Sequence, residues 1–201
     1  RNDMYRANAQ RAKAQSRFAD YHDYLLSLEM TAEIGDFSPL YLQRITQLTN
    51  KSNQFNLTTK RYTAEQMEAV YNSDEYIRLY GKLYDKFGDN GVVAVTIGKT
   101  DSEDKGRLDI ELWLMSCRVL KRDMELAMLD SLVEQAKKRG IREIYGHYYP
   151  TAKNKMVAGL YESFGFEKIS QDEEGNTAWR LLVEGYEDKN TVIKVKEEHY
   201  A

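Results

Sequence analysis

Residues 115–129, MSCRVLKRDMELAML, bring together a thiol, three cations and a carboxylate (Cys117, Arg118, Lys121, Arg122 and Asp123) between an apolar strand-like run and an amphipathic helical one. A strand-to-helix junction is a natural anion site, because the first N–H groups of the helix are unpaired and carry partial positive charge. Phosphate cradles of this kind usually rely on glycine, and this one has none. Asp123 either caps the helix or opposes an incoming anion; two unit charges ~5 Å apart at an effective dielectric of ~20 repel by roughly 3 kcal/mol. Arg118, Lys121 and Arg122 keep the stretch net positive, so side chains are able to replace backbone as phosphate ligands. Cys117 is the only thiol, and it lies beside Arg118 and a helix start, where thiolates are stabilised. Its two readings are a covalent acyl-thioester role and a small buried residue.

A second cluster is NQFNLTTKRY, where Asn53, Gln54, Asn56, Thr58 and Arg61 surround Phe55 with donors and acceptors. It reads as recognition of a polar partner, against a loop pinned by its own Asn and Thr side chains.

These residues need elements to position them. Residues 3–29 lack Gly and Pro and carry Phe18, Tyr21, Leu25 and Leu28 at helical spacing, which predicts a single amphipathic helix. TAEIGDF suits a short strand. Ser38 and Pro39 suit the cap and first turn of a helix, and Thr63 suits the cap of a second, with Glu65 and Gln66 near the place where a capping box wants an acid or amide. YIRLYGKLYD, GVVAVTIG and RLDIELWLMS form a predicted antiparallel meander. Simple alternation in the last puts Leu108, Ile110, Leu112 and Leu114 on one face and Asp109, Glu111, Trp113 and Met115 on the other. On that count Glu111 and Cys117 share a face, yet six residues separate them by ~20 Å. Leu129, Leu132, Val133 and Ala136 mark a helix ending at Gly140. Then come a strand (IREIYGHYY, with His147 near its end), a helix (TAKNKMVAGLYESFG), a hairpin (FEKIS with TAWRLLVE) and a charged tail, in which TVIKV suits an edge strand.

The bulk numbers fit one ordinary globular domain: 201 residues, 42% apolar and 30% charged. With 29 Lys plus Arg against 32 Asp plus Glu, the net charge is −3 and no basic stripe favours nucleic acid. A single cysteine excludes a disulfide framework and a cysteine-based metal cluster, and it fits a reducing compartment, with the cytoplasm as the simplest address. No apolar run reaches the ~20 residues of a membrane span. The chain begins at Arg1 rather than Met, which reads as a piece of a longer protein.

The element order resembles that of the GNAT N-acetyltransferases, and LYESFGFEK is similar to the Leu-Tyr-Glu-x-x-Gly-Phe signature of that fold's last helix and turn. LTNKSNQFNLTTKRYT, LMSCRVL and PTAKN, in that order, resemble the C-terminal GNAT-like region of FkbH-like proteins. In those a haloacid-dehalogenase-type (HAD) domain comes first, and members load a glyceryl unit from 1,3-bisphosphoglycerate onto an acyl carrier protein in methoxymalonate or polyketide-type biosynthesis.

The resemblance implies an α/β (α+β) GNAT-like acyl-CoA N-acyltransferase fold with a central mixed, mainly antiparallel sheet. It divides the chain into a connector helix (1–29) following an upstream HAD domain, a GNAT-like domain (30–183) and a charged tail (184–201). The HAD motif Asp-x-Asp is absent, so the phosphoryl chemistry belongs elsewhere. The partners implied are an acyl carrier protein and the HAD domain. No cofactor is fixed by the residues; those implied are coenzyme A, acetyl-CoA or carrier-bound phosphopantetheine.

By the same resemblance, cofactor contacts fall on Arg118, Val119, Lys121, Arg122, Asp123 and Asn154. In the family's Arg/Gln-x-x-Gly-x-Gly/Ala loop, the two glycine positions correspond to Lys121 and Asp123. Glu111 stands where these enzymes often keep a general base. Tyr161 stands where a hydroxyl protonates the leaving thiolate. The strand of His147 splays from that of Glu111 to make the pantetheine slot. An active acyl-CoA transferase and a non-catalytic scaffold packed on the HAD domain are the alternatives to a carrier-binding accessory domain.

Overall fold

The computed structural model describes residues 2–197; Arg1 and positions 198–201, the end of the predicted tail, lie outside the described residues. The predicted first helix is two. Helix α1 (Asn2–Gln15) ends in a turn, and α2 (Tyr21–Ser27) starts afresh with the Asp20 side chain accepting from the His22 N–H. A local Asp cap outcompetes continuous helix there.

Strand β1 (Met30–Gly35) leads to α3 (Pro39–Lys51), which has Pro at its start as expected, although the Ser38 side chain makes no capping bond. Helix α4 (Ala64–Tyr71) carries the predicted capping box, Thr63 and Gln66 each bonding the other's backbone N–H. The meander follows as β2 (Tyr76–Asp85), β3 (Gly88–Thr100) and β4 (Arg107–Met115). Next come α5 (Met124–Lys138), which ends at left-handed Gly140, and β5 (Glu143–Tyr148). The helix predicted over TAKNKMVAGLYESFG reduces to a 3-10 turn at Lys155–Val157 and a four-residue α6 (Leu160–Ser163), while Asn154 spends its side chain on the Thr151 N–H and the Tyr149 and Asn56 carbonyls. Strands β6 (Glu167–Gln171) and β7 (Thr177–Leu182) form the closing hairpin, and β8 (Ile193–Glu197) is the edge strand foreseen at TVIKV.

The eight strands form one sheet in the order β6-β7-β5-β4-β3-β2-β1-β8, parallel at β4–β5 and β1–β8 and antiparallel elsewhere. Helices α2, α5 and α6 cover one face and α3 and α4 the other, each over its own buried cluster.

Simple alternation fails in β4. Ile97 pairs with Leu112 and its neighbour Gly98 with Ile110, so Glu111 is an extra residue, a β-bulge. The bulge reverses the phase. Leu108 and Ile110 share the α5-side core with Trp113 and Met115, while Leu112 and Leu114 join the α3–α4 core. One inserted residue thus buries Trp113, which the pattern had placed on a mixed face, at 0% exposure.

Candidate functional site

Strands β4 and β5 pair over only three positions, Arg107–Glu143, Leu108–Ile144 and Asp109–Tyr145, and then diverge. The gap is not open. Residues 55–58 run through it as a stitched plug. The Leu57 N–H donates to Trp113 O (3.0 Å), the Met115 N–H to Phe55 O (3.0 Å) and the Tyr149 N–H to Leu57 O (2.9 Å). The Thr58 hydroxyl donates to Glu111 O (2.7 Å). Asn56 and Leu57 have no exposed surface.

Asn154, also wholly buried, clamps the plug: its Nδ2 donates to Asn56 O (2.9 Å) and Tyr149 O (3.0 Å), and its Oδ1 accepts from the Thr151 N–H (2.7 Å). The amide-rich segment therefore spends its polar groups on itself. Asn56 bonds Ser52 O and the Thr59 N–H, while Arg61 bonds Thr49 O, Ser52 O and Asn53. Phe55 is buried in the core. Of the residues singled out in this loop, Gln54 points its side chain outward, to the Cys117 thiol, which donates to Oε1 at 3.2 Å.

On the α5 side of the gap an aromatic cluster fills the space. Trp113 stacks on Phe164 (5.4 Å between centroids) and meets Tyr161 edge-on, and Tyr161 packs on Phe166. Tyr161 is 1% exposed, lies against Gly146, where an added Cβ would stand 2.4 Å from its ring, and has a hydroxyl without a well-formed hydrogen bond; burial pushes that hydroxyl's pKa up. The hydroxyl itself is buried.

Glu111 sits on the bulge and pairs with Lys60 (3.1 Å) near Tyr62, not with Cys117. His147 Nε2 lies 2.8 Å from Asp109 Oδ1, and Arg107 holds the same carboxylate through two bonds of 2.9 Å. Burial alone would raise the pKa of Asp109, but these hydrogen bonds more than offset it and the net shift is downward. A depressed carboxyl stabilises the fold above its unfolded value, near 3.8, and loses that contribution as pH falls through the folded value. Asp109→Asn is therefore expected to be less stable than the parent at pH 7, with the gap narrowing on acidification below about pH 3.8. Urea melts across that range measure it.

At the strand–helix junction, Cys117, Arg118 and Val119 form a 3-10 turn, with Val119 fully buried. Lys121 (φ +64°) and Asp123 (φ +65°) both adopt the left-handed conformation. These are the two positions that correspond to glycine, so the backbone keeps a glycine-type path without glycines, at a cost of about 1 kcal/mol or more per residue. Asp123 occupies the cap position of α5, yet its side chain makes no capping bond. Lys121→Gly is expected to raise stability by about 1 kcal/mol in urea denaturation, by relieving that strain.

The junction is also fastened to the N-terminal helices. Tyr21 donates to the Lys121 carbonyl, and buried Asp85 ties Arg11 of α1 (2.6 Å) to Arg122 (3.4 Å). Arg122 is thus committed to a carboxylate inside the protein.

Solved structures give this arrangement its context. No protein-family profile and no curated relative matches the sequence. An acetyltransferase from Thermus thermophilus aligns with a TM-score of 0.57 at 12% identity over 76% of this chain and 97% of its own. A GNAT-family acetyltransferase from Streptococcus pneumoniae gives 0.56 at 18% over 75% and 99%. For yncA of Salmonella typhimurium, solved with its cofactor acetyl-CoA, the values are 0.57, 14%, 79% and 96%. The fold is that of the GNAT acetyltransferases. The GNAT frame does not bring a fitting coenzyme A site with it: the β4–β5 gap is filled by the chain itself. At the junction neither position 121 nor position 123 is a glycine, and burial pushes the carboxyl pKa values of Asp123 and Glu125 up.

What stays accessible is the mouth of the gap. A cavity of about 770 Å³ there is lined by Arg44, Lys51, Ser52, Asn53, Gln54, Ser116, Cys117, Arg118 and Lys153 over a floor of Leu48 and Met115. Sequence reasoning found Cys117, Arg118, Asn53 and Gln54 but not Arg44, Lys51 or Lys153. The available signal was the spacing of Arg44, Leu48 and Lys51 at i, i+4 and i+7, one stripe of a helix.

Proposed function

We propose that this chain is the GNAT-fold accessory domain of an FkbH-like carrier-loading enzyme, and that it receives the phosphopantetheine arm of an acyl carrier protein at the mouth of the β4–β5 gap. The observation that carries this reading is the plug of residues 55–58, which leaves the mouth, and not the slot, as the accessible site beside a thiol. A carrier arm bears one phosphodiester charge, so it does not need the pyrophosphate cradle that Lys121 and Asp123 compromise. In this reading Cys117 faces the incoming thioester, Arg118 faces its phosphate, and Tyr161 and Glu111 are structural. The upstream HAD domain supplies the phosphoryl chemistry for which this sequence has no motif.

Calorimetry tests it. Acetyl-CoA is expected to give no detectable heat, and holo carrier protein to bind at least about tenfold tighter than apo carrier, a difference of about 1.4 kcal/mol. Equal binding of the two carriers, or micromolar affinity for acetyl-CoA, would sink the proposal. The second outcome would favour an acyl-CoA transferase, the reading supported by the retained left-handed backbone at Lys121 and Asp123; the plug would then have to leave the gap.

A further inference from the structure

The mouth cavity has a charge pattern found nowhere else among the described residues. Seven arginines are at least partly buried: Arg11, Arg44, Arg78, Arg107, Arg118, Arg122 and Arg180. Five face a carboxylate: Arg11 and Arg122 face Asp85, Arg78 faces Asp36, Arg107 faces Asp109, and Arg180 faces Glu143 and Glu167. Among the described residues Arg44 and Arg118 form no ion pair, and they line the same cavity. Lys51 and Lys153 line it too, and no Asp or Glu does, in a chain where acids outnumber Lys plus Arg by 32 to 29. Arg118 is further destabilised in its charged form, by burial first and by Arg44 second. Its nearest side-chain partners, Ser116 Oγ and Met4 Sδ, bring no negative charge. Half-buried guanidiniums held together without a counter-ion are a binding site for one.

We infer that Arg44, Lys51, Arg118 and Lys153 form a phosphoryl-binding pocket beside the Cys117 thiol. The two guanidiniums grip the phosphoryl oxygens from half-buried positions, the rim lysines add charge, and the Ser52 and Ser116 hydroxyls line the wall. This deepens the carrier-arm reading and rests on it for the identity of the natural ligand. Its test uses no carrier, so the two fail separately.

Cys117 serves as the reporter. The rates of its alkylation by iodoacetate and by iodoacetamide are compared with those of free cysteine. A cation-lined pocket concentrates the anionic reagent, and the iodoacetate-to-iodoacetamide rate ratio is expected to exceed that of free cysteine by about tenfold. Methyl phosphate should suppress the excess, Arg44→Gln should remove most of it, and Arg44→Lys should retain it. Protection by methyl phosphate beyond that by dimethyl phosphate assigns the pocket to a phosphomonoester. Equal protection by the two assigns it to a phosphodiester such as a carrier arm. A ratio equal to that of free cysteine, or protection by methyl phosphate no better than by acetate, overturns the inference.

Discussion

Replacing Asp85 by alanine is expected to lower the unfolding free energy by about 3–5 kcal/mol, measured by urea denaturation at neutral pH. The carboxylate has no exposed surface and sits between Arg11 and Arg122, whose side chains are 7% and 9% exposed. It also accepts the Phe87 and Gly88 N–H groups that shape the β2–β3 turn. Its removal leaves two buried guanidiniums facing each other with no counter-charge, the costly way to break a buried pair. Arg11→Ala is expected to cost less, because Asp85 keeps Arg122 and both backbone donors. Its visible effect is release of α1, read as faster amide exchange across residues 2–15. If Asp85→Ala costs no more than an exposed substitution, about 0.5 kcal/mol, the clasp is not a source of stability.

Asn154→Ala is the second large effect, about 3 kcal/mol, because it orphans the buried Asn56 carbonyl together with the part-buried Tyr149 carbonyl and Thr151 N–H. The change acts on the plug directly. Amide exchange at Leu57, Met115 and Tyr149, the three N–H groups that stitch the loop into the gap, should accelerate more than exchange in α5. Uniform acceleration would mean global destabilisation and no special hold on the plug. The variant also bears on function, since a loosened plug is the condition under which acetyl-CoA could reach β4.

Local chemistry in the sequence predicted the local structure well. The Thr63–Gln66 box, Pro39 at a helix start, the Leu129–Leu132–Val133–Ala136 stripe and Gly140 depend on neighbours within a few residues, and each takes its expected place. The misses depend on distant partners. Glu111 looked like one more outward strand residue; its bulge exists because β3 offers one position fewer across the ladder. The Asn- and Thr-rich loop looked like a recognition surface because donors without visible acceptors suggest a ligand. Its Asn56 and Arg61 side chains bond groups within residues 49–59, the local reading that the composition also allowed, while the Thr58 hydroxyl and the loop backbone find partners at residues 111–115 and 149, far along the chain and without a side-chain signature. Lys121 and Asp123 were legible as departures from glycine, but not as residues that nonetheless keep glycine's backbone path.

Strand β8 lies beside β1 in parallel register, Met30 against Ile193, so the outer edge of the first strand is completed by residues more than 160 positions later. During synthesis that edge stays bare while the rest of the sheet assembles, with a row of unsatisfied N–H and C=O groups able to accept a strand from another molecule. Nascent chains released before residue 193 should therefore self-associate through β1, and the alternating lysines of IKVKE suit a strand that must remain soluble while it waits to dock.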